Sequence, residues 1–280
     1  MGDRQSGAAG QHALWNGHSG RVWVDAQAVT DQMFRPFEVL LADAVGEQEA
    51  RRVLDVGCGT GATTLAVARR LGGDARCVGV DVSAPMLAAA RERAREAGAD
   101  VAFVCADVQR HDFEPAGFDT ILSRFGVMFF DDPVAAFANL RRAATADARL
   151  IFAAWRGPED NPFMTLAERT ARPWLPDMPA RVPGAPGQFG FADRERVVAI
   201  LAESGWREIE IVPVDLDCTL PERELHDYLI GFGPVGQALQ HADASLRARI
   251  GAAARCAYES YVRCEDVHFR AACWMVRARA

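Results

Sequence analysis

A chain of 280 residues, 50% hydrophobic and 25% charged, is too balanced for a disordered or fibrous protein and long enough for one large domain. Its formal net charge is −7, with arginines scattered among acids rather than gathered into a stripe, which argues against nucleic acid as the main partner. All 31 bases are arginine, and the lack of lysine removes Schiff-base chemistry, a phosphate-loop lysine and a lysine general base.

The polar, Gly-rich N-terminus lacks a signal-peptide core, and no window reaches the ~18–20 uncharged apolar residues of a membrane helix. A cytoplasmic protein without a membrane partner is expected. The cysteines at 58, 77, 105, 218, 256, 264 and 273 are odd in number and form no C-x-x-C pair. They are expected as reduced core thiols, Cys77 and Cys105 inside buried strands. The histidines show no ligand spacing, so no protein-borne metal site is expected.

In chain order, residues 1–50 contain the amphipathic stretch VWVDAQAVTDQMFRPFEVLLADAV, which predicts a helical cap packed on the core. Residues 51–155 alternate apolar strands (RRVLDV, RCVGVD, VAFVCAD, FDTILSR, ARLIFAAW) with helical stretches. Ser83 and Pro85 mark the start of one helix and Gly98 its end. This rhythm predicts an α/β fold with a doubly wound, seven-stranded, mostly parallel sheet. Residues 156–192 hold seven prolines, too many for a continuous helix or central strand, and predict a lid-like insertion. Residues 193–280 complete the core: a helix (DRERVVAILAESG), a half-exposed strand (EIEIVPVDLD), one or two helices over 221–264 and a last strand (FRAACWMVRARA).

VLDVGCGTG, residues 53–61, is the most informative segment. Gly57, Gly59 and Gly61 lie between a strand and a helix, where a ligand approaches the backbone closely. With Ala62 the run also reads as the dinucleotide variant G-x-G-x-x-A. Charge separates the two. Asp55 at the first strand's end would oppose a pyrophosphate but suits a ligand with ammonium and sulfonium groups. Asp81 ends the second strand, where an acid can accept both ribose hydroxyls, and Asp107 follows the third. Three acids at successive strand ends line the edge where doubly wound sheets bind ligands.

VLDVGCGTG, VGVDVS, CADV and FDTILSRFGVMFF resemble the successive motifs of class I S-adenosylmethionine-dependent methyltransferases, in the branch of quinone-biosynthesis and other small-molecule enzymes. The resemblance covers residues 50–155 and extends weakly through WNGHSGRVW and PGQFGFAD; it departs at 145–148, where TADA replaces a Pro-Gly-Gly turn. It implies S-adenosylmethionine as cofactor. Its methionine moiety falls on Asp55 and the Gly57-Cys58-Gly59 turn with Gly61, its ribose on Asp81 and Val82, its adenine on Met86, Asp107 and Val108, and its sulfonium face near Ser123 and Arg124. Trp23 joins this cofactor set. Trp15, Phe125, Met128, Phe129 and Asn161 are candidates for the acceptor wall, and His18, Arg124 and His226 for a catalytic role, with no firm assignment among them.

The expected activity is methyl transfer to a small molecule, in the first instance to an oxygen of a phenol or carboxylate in bacterial secondary metabolism. A quinone-type C-methyltransferase is the alternative within the class. An NAD(P)-dependent oxidoreductase and a non-catalytic cofactor-binding regulator are the alternatives outside it. Oligomeric state is left open, a homodimer included.

Overall fold

Apolar stripes at helical spacing and short aliphatic runs set the architecture. The computed structural model describes residues 3–47 and 49–280, with side chains from residue 10 onward. Three helices come first: α1 (Asp3–Asn16), α2 (His18–Asp25) and α3 (Gln27–Gly46). Along α3 the residues Met33, Phe34, Phe37, Leu41, Ala44 and Val45 are buried, a stripe at the i, i+3, i+4 spacing that seats the helix on the core.

The core then alternates β1 (Arg52–Val56), α4 (Ala62–Leu71), β2 (Arg76–Asp81), α5 (Ala84–Glu96), β3 (Val101–Cys105), β4 (Phe118–Arg124), α6 (Pro133–Ala143) and β5 (Ala144–Trp155). The five strands pair in parallel in the order β3-β2-β1-β4-β5. After α7 (Pro162–Ala171) and α8 (Arg194–Glu203) come β6 (Arg207–Pro221), α9 (Glu222–Gly231), α10 (Gly233–Leu239), α11 (Ala244–Ala257), the two-residue β7 (Val262–Arg263) and β8 (Asp266–Arg279). β8 runs antiparallel between β5 and the edge strand β6, and β7 pairs with β8. The main path therefore has seven strands and the expected doubly wound, mostly parallel form. The chain reverses direction of travel at β1 and β4, and doubly wound sheets bind their ligands outside the strand ends at such a switch point.

Local chemistry explains most boundaries. The Ser83 side chain accepts the Met86 N–H, with Pro85 in the first turn of α5; Asp132, Asp193 and Asp243 cap α6, α8 and α11 in the same way. β6 tolerates Pro213 because it is an edge strand with one unpaired side, where a missing N–H costs no ladder bond.

Four expectations change. The prolines of 156–192 still admit α7, since Pro162 stands at its first turn, where no N–H partner is needed. Residues 221–264 form three helices, the Gly233-Pro234 step separating α9 from α10. The 145–148 segment continues β5 as strand, with a register shift against β4 between Phe118 and Thr120. Cys105 is exposed, as are Cys256 and Cys264: β3 is the far edge of the sheet, so its apolar composition does not bury its end.

Candidate active site

The glycine loop between β1 and α4 is bonded to itself and to β2. Gly57 and Cys58 both donate N–H to the Val80 carbonyl, at 2.8 and 3.2 Å, and Gly61 donates to Cys58 at 2.9 Å. Gly59 donates to Asp81 Oδ2 at 2.8 Å. Four loop N–H groups are thus committed within the protein, which leaves them unavailable to cradle a pyrophosphate as a dinucleotide-binding loop does. Gly57 has φ +66°, and a Cβ there would stand 2.7 Å from Gly126 Cα at the end of β4. The two backbones touch across the switch point.

Asp55 lies beneath this loop, 1% exposed. Its Oδ2 accepts the Thr64 hydroxyl at 2.6 Å, whereas Oδ1 is buried with no partner. Burial pushes its carboxyl up from 3.8 to about 7, opposed by Thr64 and Arg124. The folded chain therefore holds a proton that the unfolded chain has lost, and ligand-free stability falls as pH rises from about 4 to about 7. Asp55→Asn is expected to flatten that fall. Melting curves across this range check it, and parallel pH profiles for the two proteins would exclude the buried proton.

At the end of β2, Asp81 accepts Gly59 N–H on one oxygen and Ser83 N–H, at 2.9 Å, on the other. The carboxylate is fixed between the glycine loop and α5, with its remaining lone pairs open to a diol. Met86 packs its methyl group beneath Gly59. Asp107 Oδ1 accepts the Gln109 N–H at 2.9 Å, and the Val108 carbonyl accepts Asn139 Nδ2 at 2.7 Å, so this turn is held from the protein side. At β4, the Ser123 hydroxyl donates to the Val56 carbonyl at 2.7 Å and accepts Gly126 N–H at 3.1 Å, locking the switch point. The Arg124 guanidinium lies 5.9 Å from the Phe34 ring centre. Burial depresses its pKa, opposed by Asp31, Glu38 and Asp55.

The N-terminal helices dock on this edge through contacts that the sequence did not announce. Ser83 Oγ donates to the Trp15 carbonyl at 2.7 Å, while Asn16 gives Nδ2 to the Val82 carbonyl and takes the Ala84 N–H on Oδ1, both at 2.9 Å. Trp15 meets Phe129 edge-on at 5.1 Å and Trp23 at 6.4 Å. Trp23 in turn meets Phe232 at 5.5 Å, and Phe232 meets Tyr228 at 5.1 Å. Trp15, Trp23 and Phe129 are thereby brought together; Phe232 and Tyr228, from α9 and its end, complete the row.

Other candidates have different duties. Cys58 points its sulfur at Gly79 of β2, and its N–H is taken by Val80, so it packs the loop rather than facing the crevice. Phe125, at φ +65°, stacks on Trp155 at 4.7 Å and meets Phe34 and Phe37 edge-on. It is a core contact for α3. Met128 is 1% exposed and accepts the Trp155 N–H on its sulfur. Asn161, buried, donates to the carbonyls of Gly157 and Ala272 and accepts the Ala272 N–H. Its amide is consumed in tying the insertion to β8, not in holding a substrate. His226 is exposed on α9, its ring beside Gly251 of α11; His18 opens α2, the helix that carries Trp23.

A doubly wound sheet with acids at three strand ends, a self-bonded glycine loop and an orphaned carboxylate oxygen beneath it fits a cationic nucleoside better than a dinucleotide. The comparisons agree. A methyltransferase-domain family matches residues 53–147. A demethylmenaquinone methyltransferase of Beutenbergia cavernae is 29% identical over 60% of this chain and 70% of its own. A nocamycin O-methyltransferase of Saccharothrix syringae is 26% identical over 69% of this chain and 72% of its own. The solved YcgJ protein of Bacillus subtilis shares the fold with a TM-score of 0.56 at 17% identity, over 86% of this chain and 97% of that one. The chain carries a methyltransferase domain over residues 53–147 and is similar to S-adenosylmethionine-dependent methyltransferases that act on small molecules.

Proposed function

We propose that this enzyme methylates an ionisable oxygen, a phenol or a carboxylate, on a flat small molecule. The observation that carries the reading is the ring row Phe129–Trp15–Trp23–Phe232–Tyr228, which spans from the segment after β4 to α9. Aromatic faces and edges favour a flat, ring-bearing acceptor. A cavity of about 720 Å³ is lined by the insertion from Trp174 to Gly190 and by Pro234, Gln237 and Ala238 of α10. Its volume lies in the range of small-molecule sites. The Gly187 N–H donates to the Met128 carbonyl at 3.0 Å, tying this cavity to the segment after β4. Residues 1–50 and 156–192 are the cap and the lid of this reading.

S-adenosylmethionine supplies an electrophilic methyl group when bound. The chain's part is to align the acceptor and exclude water around it, which favours attack by an oxyanion as charge is neutralised. A phenol or carboxylic acid reaches that anion without a strong base, and an enzyme of the cytoplasm acting without nucleic acid fits the chain's net charge of −7. The Saccharothrix relative is named as an O-methyltransferase, which supports oxygen. The Beutenbergia relative is named for demethylmenaquinone, which keeps carbon methylation of a quinone-type ring as the second reading.

The test is a transfer assay with methyl-labelled S-adenosylmethionine against hydroxylated aromatics, aromatic acids and quinols, the product read by mass spectrometry and NMR. Oxygen-bound label in the first two groups is the expected result. Label found only on carbon overturns the oxygen assignment.

A further inference from the structure

The cavity under the insertion has two charged side chains in its lining, Asp177 and Arg181. Its wall is tied down at several points. Arg172 donates to the Met178 carbonyl at 3.2 Å, Arg196 to the Gly184 carbonyl at 3.1 Å, and the Gly187 N–H to the Met128 carbonyl. Arg181 is itself a tie: its Nε donates to Glu168 Oε2 at 2.8 Å. Glu168, on α7, is 9% exposed, and its other oxygen takes Arg172 Nη2 at 3.0 Å. One buried carboxylate thus stands between two guanidinium groups, and one positive charge is left over.

The Arg181 guanidinium also lies over the Phe189 ring, 4.8 Å from its centre. The Nε bond and the ring fix its plane, so little freedom is lost when an anion binds. Among the described residues neither of its Nη groups has a partner in the protein, and neither is sealed from the cavity. Asp177 is exposed and paired with no other side chain among the described residues, so water screens it. Trp174 and Phe189 give the same wall its ring surface. A fixed fork with free donors beside aromatic rings matches a carboxylate on a ring-bearing molecule. We propose that Arg181 holds a carboxylate of the methyl acceptor, which makes the acceptor a hydroxylated aromatic acid and its phenolic oxygen the atom methylated. The inference rests on the oxygen reading above and deepens it, selecting phenol over carboxylate. A carboxylate bonded to Arg181 is stabilised as an anion and is a poorer nucleophile. It also lies at the α7 end of the wall, whereas Gly187 at the other end is bonded to the segment after β4. Transfer forms the oxygen–methyl bond as the sulfur–methyl bond breaks; the electron pair stays on sulfur and the phenol's proton goes to solvent. Arg181 is then a specificity-determining residue and Glu168 its positioning residue.

Transfer assays with methyl-labelled S-adenosylmethionine test the anchor on para-hydroxybenzoate, para-hydroxyphenylpropanoate and a hydroxynaphthoate, each beside its primary amide. The acids are expected to exceed their amides in kcat/KM on the order of 10- to 100-fold, with label on the phenolic oxygen. Arg181→Met keeps a stem over Phe189 and leaves Glu168 its bond to Arg172, and melting curves report that it is folded. It is expected to bring the ratio of acid to amide to about one, through KM rather than kcat. Arg181→Lys, which keeps the charge without the fork, is expected to retain part of the preference. Glu168→Gln is expected to lower the preference less than Arg181→Met does; an equal fall for acids and amides would make Glu168 merely structural. Acids that are not turned over or not preferred, a preference that survives Arg181→Met, or methyl esters as the product overturn the anchor. Phenols still methylated on oxygen would then leave the oxygen reading standing. An Arg181-dependent preference with the label on ring carbon overturns the oxygen reading and keeps the anchor.

Discussion

Asp81→Ala is expected to weaken S-adenosylmethionine binding at least tenfold. In the proposed ribose role Asp81 accepts two charge-assisted hydrogen bonds from a diol, and the variant removes both, at about 1.5–3 kcal/mol each. The geometry adds to this, because the same carboxylate holds Gly59 N–H and Ser83 N–H. Its loss frees the middle of the glycine loop and the first turn of α5 together. Ser83 also fastens Trp15, so the variant is expected to loosen the N-terminal helices as well. Isothermal titration gives the affinity, and an unchanged dissociation constant would remove Asp81 from the ribose position.

Gly57→Ala is expected to be the most destabilising single-methyl change in the loop. A Cβ at this position meets backbone, Gly126 Cα at 2.7 Å, from a residue at φ +66°. The left-handed conformation alone costs about 1–3 kcal/mol for a residue with a side chain. At this chain length roughly 2–4 °C of melting temperature accompanies each kcal/mol, so a fall on the order of 5–10 °C is expected. Gly59→Ala is the internal comparison, since its Cβ would meet only the mobile methyl of Met86 at 2.8 Å. Scanning calorimetry separates the two; equal melting temperatures would mean that β1 and β4 part easily at their ends.

What the sequence made legible was what short-range chemistry encodes. Alternating apolar runs and helical stripes predicted the sheet and its helices, Ser83 and Pro85 marked a helix start, and acids at strand ends pointed to a cationic nucleoside. What it hid depends on partners far along the chain. Phe125 reads as a candidate for the acceptor wall, yet at positive φ its ring stacks on Trp155. Asn161 reads as a polar residue in a lid, but its partner is Ala272, 111 positions away. Asp31 carries no motif and nothing within WNGHSGRVW singles out Asn16; only docking of the N-terminal helices brings them to Arg93 and Val82. Cys105 misled because an apolar strand at a sheet's edge has the composition of one at its centre.

A nucleotide-phosphate ligand could not take the Gly57, Cys58 or Gly59 N–H without displacing Val80 or Asp81. Exchanging Asp55 for a neutral residue would remove the repulsion and leave those three bonds in place. The loop's backbone bonding and the charge beneath it are therefore separate determinants, and one substitution alters only the second.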